Sequence, residues 1–299
     1  MAYQVETWQV KMYSQNLQHL CQQKNSRFRG AVRVEPIKGK YSFFNQLGAV
    51  EATKRTGRRQ DKDYDDPPTA RRRVAAASYD YDALVEDLDT LLTLQDPTGP
   101  YTVAAQQAML RSMDDVVIEA ATGTAYTGEE GTTQVVLPAA QKIAVTVDPI
   151  SGKTNSGMSL GKLSYAKYLF DLADVDPEIE RFMALGARQA QDLLALEKLT
   201  SNEYAAVKAL VDGQITKFMG FTFIPTQRLA HNTSTDIRTC VAWVKDGILL
   251  GVGQEISVDI GKIRTKKGNP MGITVTQNIG ATRMEENKVV EIPCDESPA

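Results

Sequence analysis

Between two runs that read as β-strands lies a stretch that no hydrophobic core can accept. Residues 54–73 read KRTGRRQDKDYDDPPTARRR. Burying that many charges without matched partners is prohibitive, so the segment has to project from the body of the fold. Before it, YSFFNQLGAVEAT (41–53) reads as an aromatic-rich strand and turn; after it, Val74–Tyr81 reads as a second strand, beyond a Pro67-Pro68 break. Strand, charged tip, strand predicts a long projecting hairpin over 41–82. An isolated two-stranded hairpin is marginal in water, so this one needs a partner.

The charges of the tip come in blocks. Lys54, Arg55, Arg58, Arg59, Arg71, Arg72 and Arg73 bracket Asp61, Asp63, Asp65 and Asp66. One reading is a solvated tip, where surface charges contribute little. A second is contact with nucleic acid, which the four aspartates oppose. The third is docking onto a complementary neighbour, which the alternation favours because it sets register as well as attraction. On this third reading, Arg71→Glu with Arg72→Glu is expected to leave a folded, soluble subunit that fails to dock.

The whole chain repeats this asymmetry. Its net charge is −3, but residues 1–75 hold 15 Lys and Arg against 7 Asp and Glu, a balance of +8, and the remainder balances at −11. A basic first quarter on an acidic remainder suits binding to nucleic acid or a membrane surface, or head-to-tail contact between copies. The 299 residues suffice for one large or two medium domains. No apolar run approaches the roughly 18 residues of a membrane span, and the N-terminus MAYQVETWQVKMYSQ has no signal-peptide pattern. Cys21, Cys240 and Cys294 are too few and too scattered for a disulfide framework or a zinc site.

Residues 1–40 read as a polar extended arm with one short helix at Thr7–Gln22. The clearest helix is 101–121, entered by Pro100 and followed by Gly123, with apolar residues at Val103, Met109, Leu110, Met113, Val116, Val117 and Ala120. KIAVTVD (142–148) alternates as a strand would. Helices are predicted at 160–174, 187–196 and 202–213. From Phe218 onward the pattern is short strands: FMGFTFI, TCVAWV, ILLGVG, EISVDIGKI, GITVTQN and KVVEI. The class is α+β.

Catalytic signatures do not assemble. His19 and Cys21 stand two residues apart and diverge on a helix. His231 sits in a loop-like HNTSTD run. SGKT (151–154) lacks the earlier glycine of a phosphate-binding loop, since Val147 holds that position. The aspartates of DKDYDD fail the calcium-loop pattern at Asp66 and Arg72. GVG (251–253) meets Ile256 where a dinucleotide fingerprint needs glycine, and Asn232-Thr233-Ser234 is a glycosylation acceptor only in a secreted chain. Asp114-Asp115 diverge by about 100° on a helix, which suits a solvated face or an inter-subunit salt bridge rather than an acid–base pair. The expectation is a non-enzyme with no cofactor and no metal.

The order of elements resembles the major capsid proteins of tailed bacteriophages, which share the Hong Kong 97-type fold. The phrases that carry the resemblance are FFNQLG, PPTARRRVAAASYDYDALVEDLD, DPTGPYTVAAQQAMLRSMDDVVIEAATGTAY, LSYAKYLFDLADV, ALGARQAQDLLA, TSNEYAAVKALVDGQITKFMGFTFIPTQRL and VAWVKDGILLGVG. The resemblance implies an N-terminal arm (1–40), an extended hairpin loop (41–82), and a peripheral domain (83–148) with its spine helix at 101–121. It further implies an axial domain (149–245) and return strands to the peripheral domain (246–299). It implies a shell protein forming hexamers and pentamers around double-stranded DNA, which would touch the inner surface without sequence preference. A separate scaffolding protein, a portal, synthesis in the host cytoplasm, residence in the virion and no membrane partner follow by the same analogy. The lysine and asparagine with which some relatives cross-link match no position here. An encapsulin-like nanocompartment shell and a non-capsid nucleic-acid-binding protein stand as alternatives.

Overall fold

In the computed structural model, residues 22–58, 61, 64–85, 98–148, 155–195, 217–266 and 268–297 are described. The helix expected at 202–213, the SGKT run, Arg59, Asp63, His19, Cys21 and nearly all of the Thr7–Gln22 helix lie outside them.

The chain opens with strands β1 (Arg33–Pro36), β2 (Tyr41–Leu47), β3 (Thr69–Ala75) and β4 (Ala77–Val85). Helix α1 (Thr98–Thr122) leads to β5 (Ala125–Thr127) and β6 (Thr133–Val135). Next come α2 (Leu160–Leu172), β7 (Arg181–Leu185) and α3 (Ala187–Ala195). Strands complete the chain: β8 (Lys217–Phe218), β9 (Phe221–Pro225), β10 (His231–Asn232), β11 (Ile237–Val244), β12 (Ile248–Lys262), β13 (Met271–Arg283) and β14 (Val289–Asp295). The mixed α+β class is as expected.

Two compact units share this chain. The smaller contains Ser78–Met113 and Gln254–Asn278, with the chain up to Ser26. Its core sets Ala105 and Met109 of α1 against Val85, Ile273 and Val275, with Ile256 and Val258 at the margin. Gln277 enters this core and donates to the Met109 carbonyl at 2.9 Å. The alternation expected of EISVDI holds for the half-buried Ile256 and Val258 but not for Ile260, which is exposed, and ILLGVG and EISVDIGKI run together as one strand, β12.

The larger unit is built on a six-stranded sheet, ordered β10-β11-β7-β9-β8 with β14 on β11. Every residue of β7 is buried. This strand, RFMAL, is not expected from the sequence because the four apolar residues after Arg181 form a short continuous run with no period to detect. Trp243 on β11 lies between Phe28 and Phe182, with ring centroids 5.4 and 6.1 Å away. In the same unit, β2, β3, β5 and β6 form a second sheet, in that order.

Helix α1 begins at Thr98, and its buried stripe is Ala105, Met109, Met113, Val117 and Ala121. Val103, expected on that stripe, is exposed. The Gly123 N–H donates to Glu119 O at 2.8 Å and ends the helix where expected. Residues 142–148 do not form a strand. Lys142 makes one parallel bridge to Glu291, after which the chain turns. Ser156 takes the place of a ladder partner, donating its N–H to Val145 O and its hydroxyl to the Val145 and Val147 carbonyls. Alternating burial therefore survives there without a sheet.

Candidate inter-subunit interface

A hairpin forms in this region, but its second strand, Thr69–Ala75, lies largely within the stretch expected to be the tip. Strands β2 and β3 pair antiparallel from Tyr41↔Ala75 to Leu47↔Thr69, and Gly48 N–H donates to Pro68 O at 2.7 Å to close the ladder. The strand-like run expected over Val74–Tyr81 breaks at Ala76, where β3 ends and β4 enters a different sheet. At the root, Gly280 of β13 passes so close to Ala75 that any side chain there would collide with the Ala75 carbonyl oxygen.

Successive side chains of a strand point to opposite faces, so the arginine triplet splits. Arg71 and Arg73 share one face. Arg71 lies over the Phe43 ring at 5.6 Å and donates to Asn45 Oδ1 at 3.0 Å. Arg73 stacks on Tyr41 and Tyr126 at 4.7 and 4.4 Å, a cation–π arrangement. Arg72 points the other way and is 7% exposed. Its Nε donates to Met284 O at 2.9 Å, and one terminal nitrogen donates to both Glu286 carboxylate oxygens at 2.8 and 2.7 Å.

Glu286 also faces Arg283, whose Nε is 3.6 Å away. Arg283 is fully buried and donates to the carbonyls of Ala121 and Gly123 at 3.0 and 2.8 Å, and to Val135 O at 3.0 Å. It thus supplies donors to the open carbonyls at the C-terminus of α1, where the helix dipole also favours a cation. Burial pulls the Arg283 guanidinium below the usual arginine pKa, and Glu286 opposes the shift. Glu286 therefore ties the hairpin root to the residue that caps α1.

This overturns one expectation. Arg71→Glu with Arg72→Glu would set a carboxylate against Glu286 in a buried site, so it tests folding before it tests docking.

Beyond the root the picture changes. Every described residue from Leu47 to Ala70 is exposed. Lys54, Arg55, Arg58, Asp61, Asp65 and Asp66 all lie on this loop, and Tyr64 is 89% exposed. Arg55 folds the tip locally by donating to the carbonyls of Gly57 and Arg58. Clefts flank the hairpin on both faces: one of about 720 Å³ between Leu47, Arg71 and Glu129, one of about 510 Å³ between Arg33, Arg72 and Lys288.

Asp114 departs from the solvated face expected of this pair, whereas Asp115 stays partly exposed and finds a partner within the chain. Asp114 is fully buried, and its carboxylate accepts the backbone N–H groups of Arg27 and Phe28 at 3.1–3.3 Å. Asp115 pairs with Arg228. The divergence that rules out an acid–base pair lets the two carboxylates hold different segments. The Trp243 indole donates to Ala31 O at 2.9 Å, so the segment from Arg27 to Ala31 is fixed at three points.

Other sequence candidates come together without forming a reaction centre. His231 Nε2 is 3.5 Å from both Asp236 and Glu296. Glu296 is held by Arg238 at 2.5 Å and Gln189 at 3.0 Å; these bonds outweigh its partial burial and keep its pKa below the usual carboxylate value. Cys240 and Cys294 are buried on neighbouring strands. Contact with Cys294, together with burial, pushes the Cys240 thiol pKa well above its ordinary range. Among the described residues no group of three or more His, Cys, Asp or Glu is placed to hold a metal.

A family model described as phage capsid protein matches residues 5–296. Among solved structures, the chain is similar to the capsid of Ralstonia phage GP4, with TM-score 0.75 and 11% identity over 100% of this chain and 99% of that one. It is similar to the capsid of cyanophage P-SCSP1u, with TM-score 0.74 and 14% identity over 95% and 92% of the two chains. For the cyanophage Pam1 capsid the TM-score is 0.70, with 13% identity over the full length of both. At such identities the likeness concerns the fold. No curated protein matches the chain.

Proposed function

The chain belongs to the phage capsid protein family, and from that premise we propose that it is a major capsid protein whose copies form the hexamers and pentamers of an icosahedral shell. Its fold is of the Hong Kong 97 type, and the protein is part of the virion. The family is a structural one. The observation that carries the assembly reading is the contrast within the hairpin. Its root is fixed by Arg72 and Glu286, while every described residue of the charged loop it carries is exposed.

In this reading the loop residues Lys54, Arg55, Arg58, Arg59, Asp61, Asp63, Asp65 and Asp66 dock on a neighbouring copy. Arg71, Arg72 and Arg73 present the loop and flank the contact. Residues 1–40 act as an arm, 83–148 as the peripheral domain, 149–245 as the axial domain and 246–299 as return strands. Heterologous contacts that close by rotation yield rings. A separate scaffolding protein and a portal complete the particle, which forms in the host cytoplasm around double-stranded DNA held without sequence preference.

Negative-stain microscopy of the expressed chain tests this. Shells are expected from the natural sequence, and Lys54→Glu with Arg58→Glu is expected to give folded subunits without shells. Normal shells from that variant would overturn the loop's role. Particles filled with a protein cargo and free of DNA would point to a nanocompartment instead.

A further inference from the structure

Helix α2 has two faces of different character. Leu163, Ala166, Leu169 and Phe170 are buried, as is Lys162. On the opposite side Tyr165, Tyr168 and Leu172 are 42%, 53% and 66% exposed. Their spacing of three and four residues stacks them along one stripe, and the two tyrosine rings are 5.8 Å apart. A helix needs one apolar face to join its own core; here a second apolar stripe is directed outward. Contiguous exposed apolar surface marks an interaction site, and tyrosine is enriched where protein partners meet.

The stripe has an acidic border. The loop that follows α2 carries Asp174, Asp176, Glu178 and Glu180, and Asp171 lies in the last turn of the helix. Arg181 bonds Asp171 at 2.9 Å and Lys245 bonds Glu180 at 3.2 Å. Asp174, Asp176 and Glu178 are exposed without an ion pair to any described residue. Lys167 is the one exposed cation on the helix itself.

We propose that the Tyr165–Tyr168–Leu172 stripe and its acidic border form a docking surface for a second copy of this chain, engaged head to tail. The proposal rests on the capsid reading, which requires copies to meet. Charge selects the geometry. Two such borders face to face would repel, which disfavours an isologous pair, whereas a different face of the next copy can complement them. The chain carries such cations elsewhere. Lys262, Arg264 and Lys266 are exposed at the β12–β13 turn, within a run from Ile260 to Met284 that contains no acidic residue, whereas the hairpin loop sets Lys54, Arg55 and Arg58 beside aspartates. A heterologous contact of this kind propagates around a ring.

Two measurements test it. Tyr168→Asp with Leu172→Asp, both at exposed positions, is expected to keep the circular-dichroism spectrum and melting temperature of the natural chain and to abolish shells. In the second, a thiol is introduced by Ser164→Cys, beside the stripe, and its maleimide labelling is read above the natural-sequence background. Labelling is expected to be at least tenfold slower in assembled shells than in free subunits. Normal shells from the double variant, or equal labelling in the two states, would overturn the surface while leaving the capsid reading in place. Failure of the natural chain to form any particle, alone or together with its scaffolding protein, would overturn both.

Discussion

Lys162 is a cation placed where cations are costly. It is fully buried on α2, and its ammonium is held by the carbonyls of Ser156 and Pro293 at 2.8 and 2.7 Å. Burial lowers its pKa, with Cys294, Cys240, Asp295 and Asp192 opposing the shift. The folded state therefore releases this proton at lower pH than the unfolded chain, whose lysine titrates near ~10.4. Between those two values the unfolded state binds more protons, so this group's contribution to stability rises with pH. Urea unfolding of the natural chain and of Lys162→Met across pH 7 to ~10.5 is expected to show a stability difference that shifts in favour of the natural chain as pH rises. A pH-independent difference would refute it. The nearby thiols follow a different constraint. Cys240 is paired with Ile292 and Cys294 with Arg238, so the cysteines are diagonal neighbours. Diagonal positions stand ~7–8 Å apart at Cα, beyond the reach of an unstrained disulfide.

At the scale of elements, the hairpin is one object with two kinds of arginine. Arg58 lies on the exposed loop and Arg72 in a buried ion pair, although both sit in basic clusters of similar composition. Arg72→Glu is expected to destabilise the fold by about 3–5 kcal/mol, the range for breaking a buried pair, as read from denaturant midpoints. Arg58→Glu is expected to leave the midpoint unchanged. Sequence located the hairpin because its signal is local: two strand-like runs around a stretch too charged to bury. It could not divide the triplet, because Arg72 is buried by Met284 and Glu286, more than two hundred residues away. The same limit explains residues 142–148, where alternation was legible but the absence of a partner strand was not. The paired roles of Asp114 and Asp115 were likewise invisible, since both depend on which segments the fold brings to α1.

For the molecule as a whole, charge and shape act together. A basic first quarter and an acidic remainder favour unlike faces meeting; the α2 border presents acidic side chains, and the exposed hairpin loop presents both signs. Exposed charges are screened over about 8–10 Å at ordinary ionic strength and about 3 Å at 1 M. Early assembly intermediates, followed by light scattering, are therefore expected to form more slowly as salt increases; a rate independent of salt would argue against charge steering. By itself the sequence determined the α+β class, the order of hairpin and long helix, and the resemblance to phage capsid proteins, because those rest on periodicity and local composition. The tertiary structure decided which charges hold the subunit together and which remain on its surface, because burial and pairing are properties of distant segments brought into contact.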